Sequence, residues 1–315
     1  MQATQRDPTR YIQSRKFHSI KELDNMQVFT SHLLFHPPKH DNLCKFRVDS
    51  RNCKIRSVMG DDIHCHLVCP WDKHTSMDAH ERSRHLILFL HGNSEDVMSC
   101  MSYCQWLADE LHNNVLCCDY PGYGFSSGTP SEEGMNSAAF AVLDFAVSKL
   151  KYRLPDIVVM GKSIGSTPAI HIASMSYCSS LGGIVLVSPV ASAVRCVSGS
   201  ARLPAWILSQ LDTWILPNIK FIGNVTCPVQ FIHGTEDQVV PHQNSLALID
   251  ALRCPQRSTP LFVKAGHNDI ESKHGARFLM TLKTFLDTCA CRASTDYDGT
   301  DSHEQRASVN CLVNI

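Results

Sequence analysis

Short apolar runs rich in β-branched residues recur along the chain from residue 86 onwards, and longer segments with helical periodicity separate several of them. The runs lie at residues 86–90, 115–118, 157–160, 183–188, 228–233 and 260–264. Runs of this length are typical of strands that are covered on both faces. Their alternation with helical segments predicts βαβ units, and hence an α/β fold with a mostly parallel central sheet and helices on both faces.

Helical periodicity predicts long helices between and after these strands. Three of them span about residues 96–112, 132–151 and 270–288. A further helix follows the run at 157–160 and reaches about residue 177. Upstream, two strand-like runs at residues 53–59 and 63–69 flank Gly60 and predict an antiparallel hairpin.

The two ends of the chain differ from this pattern. Residues 1–48 have weak periodicity and include Pro37 and Pro38, so we expect an irregular leader. Residues 49–289 are predicted to form a single α/β domain. Residues 290–315 are polar without a core pattern, and we expect a disordered tail.

Composition and charge narrow the class of protein. With 315 residues and 43% hydrophobic content, the chain can bury a large core. Its 29 basic and 30 acidic residues leave a net charge of −1, which does not favour a nucleic-acid partner. Many of the 15 cysteines lie in apolar runs, as reduced core cysteines of a cytoplasmic protein do. No apolar run approaches the roughly 18 residues that a membrane-spanning helix needs.

The motif GKSIG at residues 161–165 follows the strand predicted at 157–160 and precedes a helical segment. This is the strand-turn-helix context of a nucleophile elbow, with Ser163 as the nucleophile. We expect Gly161 and Gly165 to be glycines because both come close to the serine side chain. A phosphate-binding loop is excluded, because Asp156 stands where that motif needs its first glycine. A glycine-bounded turn without chemistry remains an alternative.

An activated serine needs a base and an acid that orients the base. When the serine stands on such an elbow, the acid and then the histidine base follow later in the chain. Asp237 comes after the strand at 228–233, and His267 comes after the strand at 260–264. Carboxyl ends of parallel strands meet at one edge of a sheet, so we expect both near Ser163. Glu236 is the competing acid. We interpret His233, His242 and His274 as structural or solvated.

Two backbone N–H groups are candidates for stabilising an oxyanion. Ile164 follows the nucleophile at the start of the next helix, where the helix dipole is positive. Asn93 lies in the loop after the strand at 86–90, the usual source of the second donor, and Gly92 would let that backbone approach the substrate. The alternative for this loop is a plain turn that ends the strand.

A zinc site near His64, Cys65, His66 and Cys69 is not favoured by the spacing. His64 and His66 share one face of the predicted strand whereas Cys65 faces away, and a second pair at finger spacing is lacking. We therefore predict neither a metal nor an organic cofactor.

These motifs resemble the α/β-hydrolase superfamily over about residues 50–288. Within it, the chain is similar to the alpha/beta hydrolase domain-containing protein 17 family of protein depalmitoylases. Longer motifs carry this narrower resemblance: HGN at 91–93, DYPGYG at 119–124, SSG at 126–128, PNI at 217–219, IHGTED at 232–237 and AGHNDIE at 265–271. The family's elbow usually has glutamine at the position of Lys162.

The resemblance implies a serine hydrolase that removes S-palmitoyl groups from membrane-anchored proteins at the cytosolic face. It assigns the triad to Ser163, Asp237 and His267, and the oxyanion donors to Asn93 and Ile164. The alternatives are a lipid or small-molecule carboxylesterase, a peptidase-like serine hydrolase, and a catalytically silent hydrolase-fold binding protein. The acylated protein or lipid-like ester is the expected partner, with peripheral membrane contact.

Residues 189–226 take the position of a short helical lid that covers the substrate in this fold. An apolar band at helical spacing runs through it and includes Trp206 and Trp214. Those two residues are candidate substrate-binding residues that line an acyl-chain groove or enter a lipid surface. The alternative is a lid helix that packs its apolar face on the core.

Overall fold

The computed structural model describes residues 34–38, 51–71, 83–197, 212 and 215–295. From residue 51 onwards, the described residues belong to one compact unit. Its strands form one eight-stranded sheet in the order β1-β2-β4-β3-β5-β6-β7-β8. The strands are β1 Asn52–Arg56, β2 Asp62–Val68, β3 Leu86–Leu90, β4 Asn114–Cys118, β5 Ile157–Lys162, β6 Gly183–Val187, β7 Val229–Gly234 and β8 Leu261–Val263.

The predicted hairpin and the mostly parallel sheet are both confirmed. Strands β1 and β2 pair antiparallel, as do β2 and β4. All later pairs, from β3 with β4 to β7 with β8, are parallel. Because β5 lies in the middle of the sheet, the segment that follows it emerges at the centre of the carboxyl edge.

The described helices connect and cover these strands. They are α1 Val97–Leu111, α2 Glu132–Ser148, α3 Ser166–Ala173, α4 Ala193–Val197, α5 Asn218–Phe221, α6 Gln243–Ala251 and α7 Ile270–Thr295. Helix α1 begins at a capping box, in which the Asp96 side chain accepts from the N–H of Ser99 and the Ser99 hydroxyl oxygen accepts from the N–H of Asp96. Helix α2 begins with the Ser131 hydroxyl accepting from the N–H of Gly134.

The core lies on both faces of the sheet. On one face, Val158 and Met160 of β5 pack with Leu107 of α1 and Phe278 of α7 in one buried cluster. Alternate residues of a strand point to opposite faces, so Val159 of the same strand is buried on the other side. Helix α3 contacts β5 there and packs against α2. Burial on both faces explains why these strands are continuous apolar runs in the sequence.

The predicted ends of two helices were wrong. Helix α7 does not stop at residue 288 but continues to Thr295, so residues 290–295 are not part of a disordered tail. Cys289 and Ala290 are buried and extend the apolar face of the helix by one turn. Helix α3 ends at Ala173, four residues before the predicted end, and a 3₁₀ turn at Ser176–Cys178 follows.

Other predicted segments fall largely outside the described residues. The residues that are not described include most of the leader at 1–48, residues 198–211, 213 and 214 within the lid segment 189–226, and the tail beyond Thr295. At the two ends of the lid segment, the described residues form the short helices α4 and α5. Among the described helices, none combines the length and the apolar character required to cross a membrane.

Candidate active site

Ser163 stands at the sharp turn between β5 and α3. Strand β5 ends at Lys162, a 3₁₀ turn spans Ser163–Gly165, and α3 begins at Ser166. Ser163 has a φ of +54°, in the left-handed region that residues other than glycine, asparagine and aspartate rarely adopt. Such backbone strain costs about 1–3 kcal/mol and is concentrated at functional sites. The turn is the predicted strand-turn-helix elbow.

The elbow needs its two glycines for a different reason from the one we expected. A Cβ on Gly161 would lie 2.5 Å from the carbonyl oxygen of Gly165. A Cβ on Gly165 would collide with the carbonyl oxygen of Leu90 at the end of β3, and it would lie 2.7 Å from the carbonyl oxygen of His91, the next residue. The glycines thus allow backbone segments to approach each other, and the serine side chain is not among their nearest neighbours.

The structure brings Ser163, His267 and Asp237 into one hydrogen-bonded line. The Ser163 Oγ lies 3.0 Å from the Nε2 of His267. The Nδ1 of His267 lies 2.7 Å from the Oδ2 of Asp237. Ser163 follows β5, whereas Asp237 and His267 stand in the loops after β7 and β8, so all three lie at the carboxyl edge of the sheet.

Asp237, rather than Glu236, is the acid that contacts the imidazole. Its Oδ1 accepts hydrogen bonds from the N–H groups of Val239 and Val240, at 2.9 and 2.8 Å. Burial alone would raise the pKa of Asp237, but hydrogen bonds from His233 and His267 hold that pKa well below its usual range. Glu236 is exposed and lies 3.7 Å from the ammonium of Lys264. Asp237 is therefore an anion in a position to stabilise the imidazolium that forms when His267 takes a proton.

His233 has a role that the sequence did not reveal. We expected a structural or solvated residue, and the side chain is indeed fully buried. However, its Nε2 lies 2.8 Å from the carbonyl oxygen of Val240 and 3.2 Å from the Oδ2 of Asp237. The carbonyl can only accept, so this nitrogen carries a proton and supports the carboxylate. Of the other two histidines, His242 is half-buried and His274 hydrogen-bonds the Lys264 carbonyl at 3.2 Å.

The loop with Asn93 lies next to the nucleophile. A Cβ on Gly92 would be 3.8 Å from the Cβ of Ser163, so no side chain separates this backbone from the serine. The phenol of Tyr123 donates to the Asn93 Oδ1 at 2.8 Å, and that of Tyr120 donates to the His91 carbonyl at 2.9 Å. The motif at 119–124 thus holds the loop in place. The use of the Asn93 and Ile164 N–H groups as oxyanion donors stays a prediction.

Asp119 connects this motif to the rest of the domain. Its Oδ1 accepts from the N–H of Val97 at the start of α1, at 2.8 Å. Its Oδ2 lies 3.0 Å from the His64 Nδ1 and also accepts from the N–H of Phe125. His64 and His66 both hydrogen-bond the side chain of Asn52. In the described part of the chain, His, Cys, Asp and Glu side chains form no group of three or more that could hold a metal ion.

Trp206 and Trp214, the candidate acyl-groove residues, lie outside the described residues. The described part does contain an open, mostly apolar groove of about 650 Å³ between α1 and α7. Tyr103, Trp106 and Leu279 provide its apolar walls, and Glu271 contributes a carboxylate that accepts from the Tyr103 phenol at 3.0 Å. The Tyr103 ring lies 5.8 Å from the ammonium of Lys162, the residue before the nucleophile.

Solved structures share this fold at low sequence identity. An esterase from Pyrococcus furiosus superposes with a TM-score of 0.60 at 17% identity, covering 81% of this chain and 97% of the esterase. Est1E from Butyrivibrio proteoclasticus, bound to ferulic acid, gives 0.58 at 19% identity, covering 76% and 99%. A family model described as serine aminopeptidase, S33, matches residues 81–226. The fold and the arrangement of the site define an α/β-hydrolase.

Curated relatives identify the family within this class. Alpha/beta hydrolase domain-containing protein 17B of Xenopus laevis is 32% identical over 234 residues, which cover 73% of each chain. The chain belongs to the alpha/beta hydrolase domain-containing protein 17 family. The 17C protein of mouse is 37% identical over 209 residues, or 65% of this chain, and the match spans 60% of that relative's length.

Proposed function

We propose that the chain is a serine hydrolase that cleaves acyl esters and thioesters through a covalent acyl-Ser163 intermediate. The observation that carries this proposal is the line from Ser163 through His267 to Asp237, with hydrogen-bond distances of 3.0 and 2.7 Å. A serine hydroxyl is a weak nucleophile unless a base accepts its proton. His267 is within reach of that proton before any rearrangement.

The reaction has two halves. In the first, the Ser163 oxygen attacks the acyl carbonyl while His267 Nε2 takes the hydroxyl proton, and Asp237 stabilises the resulting imidazolium. The tetrahedral intermediate collapses as His267 returns the proton to the leaving sulfur or oxygen. In the second half, water attacks the acyl-serine while His267 takes a water proton. His267 then returns that proton to the Ser163 oxygen as the bond to the fatty acid breaks, which restores the hydroxyl.

The negative oxygen of each tetrahedral intermediate needs donors that are already oriented. We assign this role to the backbone N–H groups of Asn93 and Ile164. Ile164 follows the nucleophile inside the elbow turn, and Asn93 follows the glycine whose backbone lies against Ser163. Losing one such donor typically costs about 10²–10³ in kcat.

For the substrate, we propose S-palmitoylated proteins at the cytosolic face of membranes. Membership in the family supports this choice, since the motifs of this chain resemble those of a family of protein depalmitoylases. A cytoplasmic location is supported by the thiols, because described cysteines such as Cys65, Cys104 and Cys118 are buried free thiols. A cysteine thiolate, with a solution pKa of about 8.5, is also a better leaving group than an alkoxide.

Labelling with a fluorophosphonate probe tests the nucleophile. We expect the wild-type chain to be labelled, and expect Ser163→Ala to abolish labelling while its thermal unfolding stays close to wild type. Labelling of wild type that survives in Ser163→Ala would place the nucleophile elsewhere. A wild-type chain that is not labelled and turns over no ester would make this a hydrolase fold that only binds its ligand.

A substrate panel tests the substrate class. It contains acyl thioesters and oxygen esters of increasing chain length, together with an aminoacyl amide, because the matching family model is described as a serine aminopeptidase. A preference for long-chain thioesters supports depalmitoylation. Preference for short oxygen esters would indicate a general carboxylesterase instead, and turnover of the amide alone would indicate a peptidase.

A further inference from the structure

An ion pair joins the loop beside the nucleophile to the end of the elbow strand. The ammonium of Lys162 lies 2.6 Å from the Oε1 of Glu95, although the two residues are 67 positions apart. The side chains are only 14% and 28% exposed. Several other Lys and Arg ion pairs among the described residues are far more exposed, as in Lys283 with Glu110, at 52% and 45%. Partial burial makes the Lys162–Glu95 pair stronger and less screened by salt than those on the surface.

The other carboxylate oxygen of Glu95 closes the loop on itself. Its Oε2 accepts from the N–H of Gly92 at 2.7 Å. In return, the backbone N–H of Glu95 donates to the carbonyl oxygen of Gly92 at 3.3 Å. Asn93 lies inside this turn. One carboxylate therefore binds both the loop and the residue that precedes the nucleophile.

The peptide groups on both sides of Gly92 are held by hydrogen bonds. In the His91–Gly92 peptide, the carbonyl accepts from Tyr120 and the N–H donates to Glu95. In the Gly92–Asn93 peptide, the carbonyl accepts from the Nδ1 of the buried His91 ring at 2.8 Å. A peptide group is planar and trans, so fixing the Gly92 carbonyl also fixes the direction of the Asn93 N–H.

The charges of the pair persist at neutral pH. Burial would raise the pKa of Glu95, but the charge and hydrogen bond of Lys162, together with the Gly92 N–H, bring that pKa below its ordinary value. Burial would lower the pKa of Lys162, but the Glu95 carboxylate raises it above its ordinary value. Removing either partner would leave the other charge partly buried without compensation.

We propose that Glu95 and Lys162 are positioning residues that orient the Asn93 N–H toward the oxyanion. Glu95 fixes the glycine that precedes Asn93, and Lys162 holds the Glu95 carboxylate in the position where it accepts from that glycine. The inference rests on the proposed serine hydrolase function. It predicts that the pair acts on the tetrahedral intermediate, not on the binding of the planar substrate or product.

Three variants test the proposal on the full chain. Lys162→Met removes the ion pair, Glu95→Ala removes both the pair and the acceptor for Gly92, and Lys162→Gln keeps a neutral donor for Glu95. Long-chain acyl ester turnover is measured together with the affinity for two inhibitors. A trifluoromethyl ketone mimics the tetrahedral intermediate, and a free fatty acid represents the product. Arg153→Met is the control, because its pair with Asp156 lies just before the opposite end of β5.

We expect kcat to fall about 10-fold in Lys162→Met and up to about 100-fold in Glu95→Ala, near the effect of losing one oxyanion donor. KM and fatty-acid affinity should stay unchanged, whereas trifluoromethyl ketone affinity should fall in parallel with kcat/KM. Lys162→Gln should recover part of the loss, and Arg153→Met should match wild type.

The outcomes separate the two proposals. If wild type turns over esters and binds the ketone, but Lys162→Met and Glu95→Ala match it, the positioning role is overturned and the hydrolase function stands. A loss confined to KM, or an equal loss of ketone and fatty-acid affinity, also overturns it, because that pattern reports general damage. If wild type neither turns over esters nor binds the ketone, the proposed function itself fails, and the positioning role with it.

Discussion

The Nε2 of His233 lies 3.2 Å from the Oδ2 of Asp237, the same oxygen that the imidazole of His267 contacts at 2.7 Å. Two histidines from different positions thus share one carboxylate oxygen. The Oδ1 of Asp237 accepts two backbone N–H groups. These four contacts together fix the orientation of the Asp237 carboxylate toward His267.

Replacing His233 should therefore reduce both activity and stability. In His233→Leu, Asp237 loses one hydrogen-bond donor. The Ser245 hydroxyl also loses its contact with the His233 Nδ1, which lies 2.7 Å from the Ser245 Oγ. We expect kcat/KM to fall about 10-fold, a small part of the roughly 10⁴-fold cost of losing the acid itself in serine proteases. The free energy of unfolding should fall by about 1–3 kcal/mol. Ester kinetics and urea unfolding measure the two effects.

The control for His233 is the half-buried His242, whose side chain makes none of the described hydrogen bonds of this site. His242→Leu should leave kcat/KM unchanged and shift the free energy of unfolding by less than about 0.5 kcal/mol. Equal behaviour of the two histidine variants would contradict the supporting role of His233.

Alanine substitutions should separate the elbow glycine from an unconstrained one. Gly165→Ala places a methyl group against the Leu90 and His91 carbonyl oxygens, so we expect a loss of about 3 kcal/mol or more in unfolding free energy. Gly275→Ala, in α7, meets no atom within 4 Å and should stabilise by about 0.5 kcal/mol. Thermal and urea unfolding of the two variants are compared with wild type. A harmless Gly165→Ala would show that β3 and the elbow can separate.

Acid should destabilise the fold through Asp237. The folded-state pKa of Asp237 is depressed, mainly because hydrogen bonds from His233 and His267 outweigh burial, so the unfolded chain binds this proton more readily. The stabilisation is fully present above the unfolded pKa of about 3.9 and is lost as pH falls toward the lower folded value. In urea unfolding between pH 7 and pH 3, we expect the deficit of Asp237→Asn relative to wild type to shrink as pH falls. A deficit that is independent of pH would mean that the carboxylate charge contributes nothing.

The extended end of α7 should contribute to stability. Ala290 is 3% exposed, so Ala290→Asp buries an unpaired carboxylate or forces the last turns away from the sheet. We expect a loss of about 2–3 kcal/mol in the free energy of unfolding, measured with urea. The matched control is Thr284→Asp at an exposed position of the same helix, which should change stability by less than about 0.5 kcal/mol. Similar values for both variants would mean that the helix does not pack beyond residue 288.

Local patterns in the sequence were sufficient to place the strands along the chain and to choose three residues of the candidate site, but the order of the strands within the sheet was not predicted. Apolar runs mark strands because a strand buried on both faces has no polar side to alternate with. GKSIG marks a strand-to-helix turn because only glycines allow so close an approach of the backbone. Asp237 and His267 could be chosen because each follows a strand, and parallel strands present their carboxyl ends at one edge.

Tertiary packing decided what those patterns left open. The choice of Asp237 over Glu236 as the acid was decided by the turn in which the N–H groups of Val239 and Val240 donate to the Asp237 carboxylate. The contact between Glu95 and Lys162 joins positions far apart in the chain, so no local sequence pattern predicts it. The end of α7 depends on the packing of Cys289 against Gly183. A Cβ on Gly183 would lie only 3.0 Å from the Cys289 sulfur. Short-range periodicity specifies each element, whereas the partner of a side chain is set by the three-dimensional path of the whole chain.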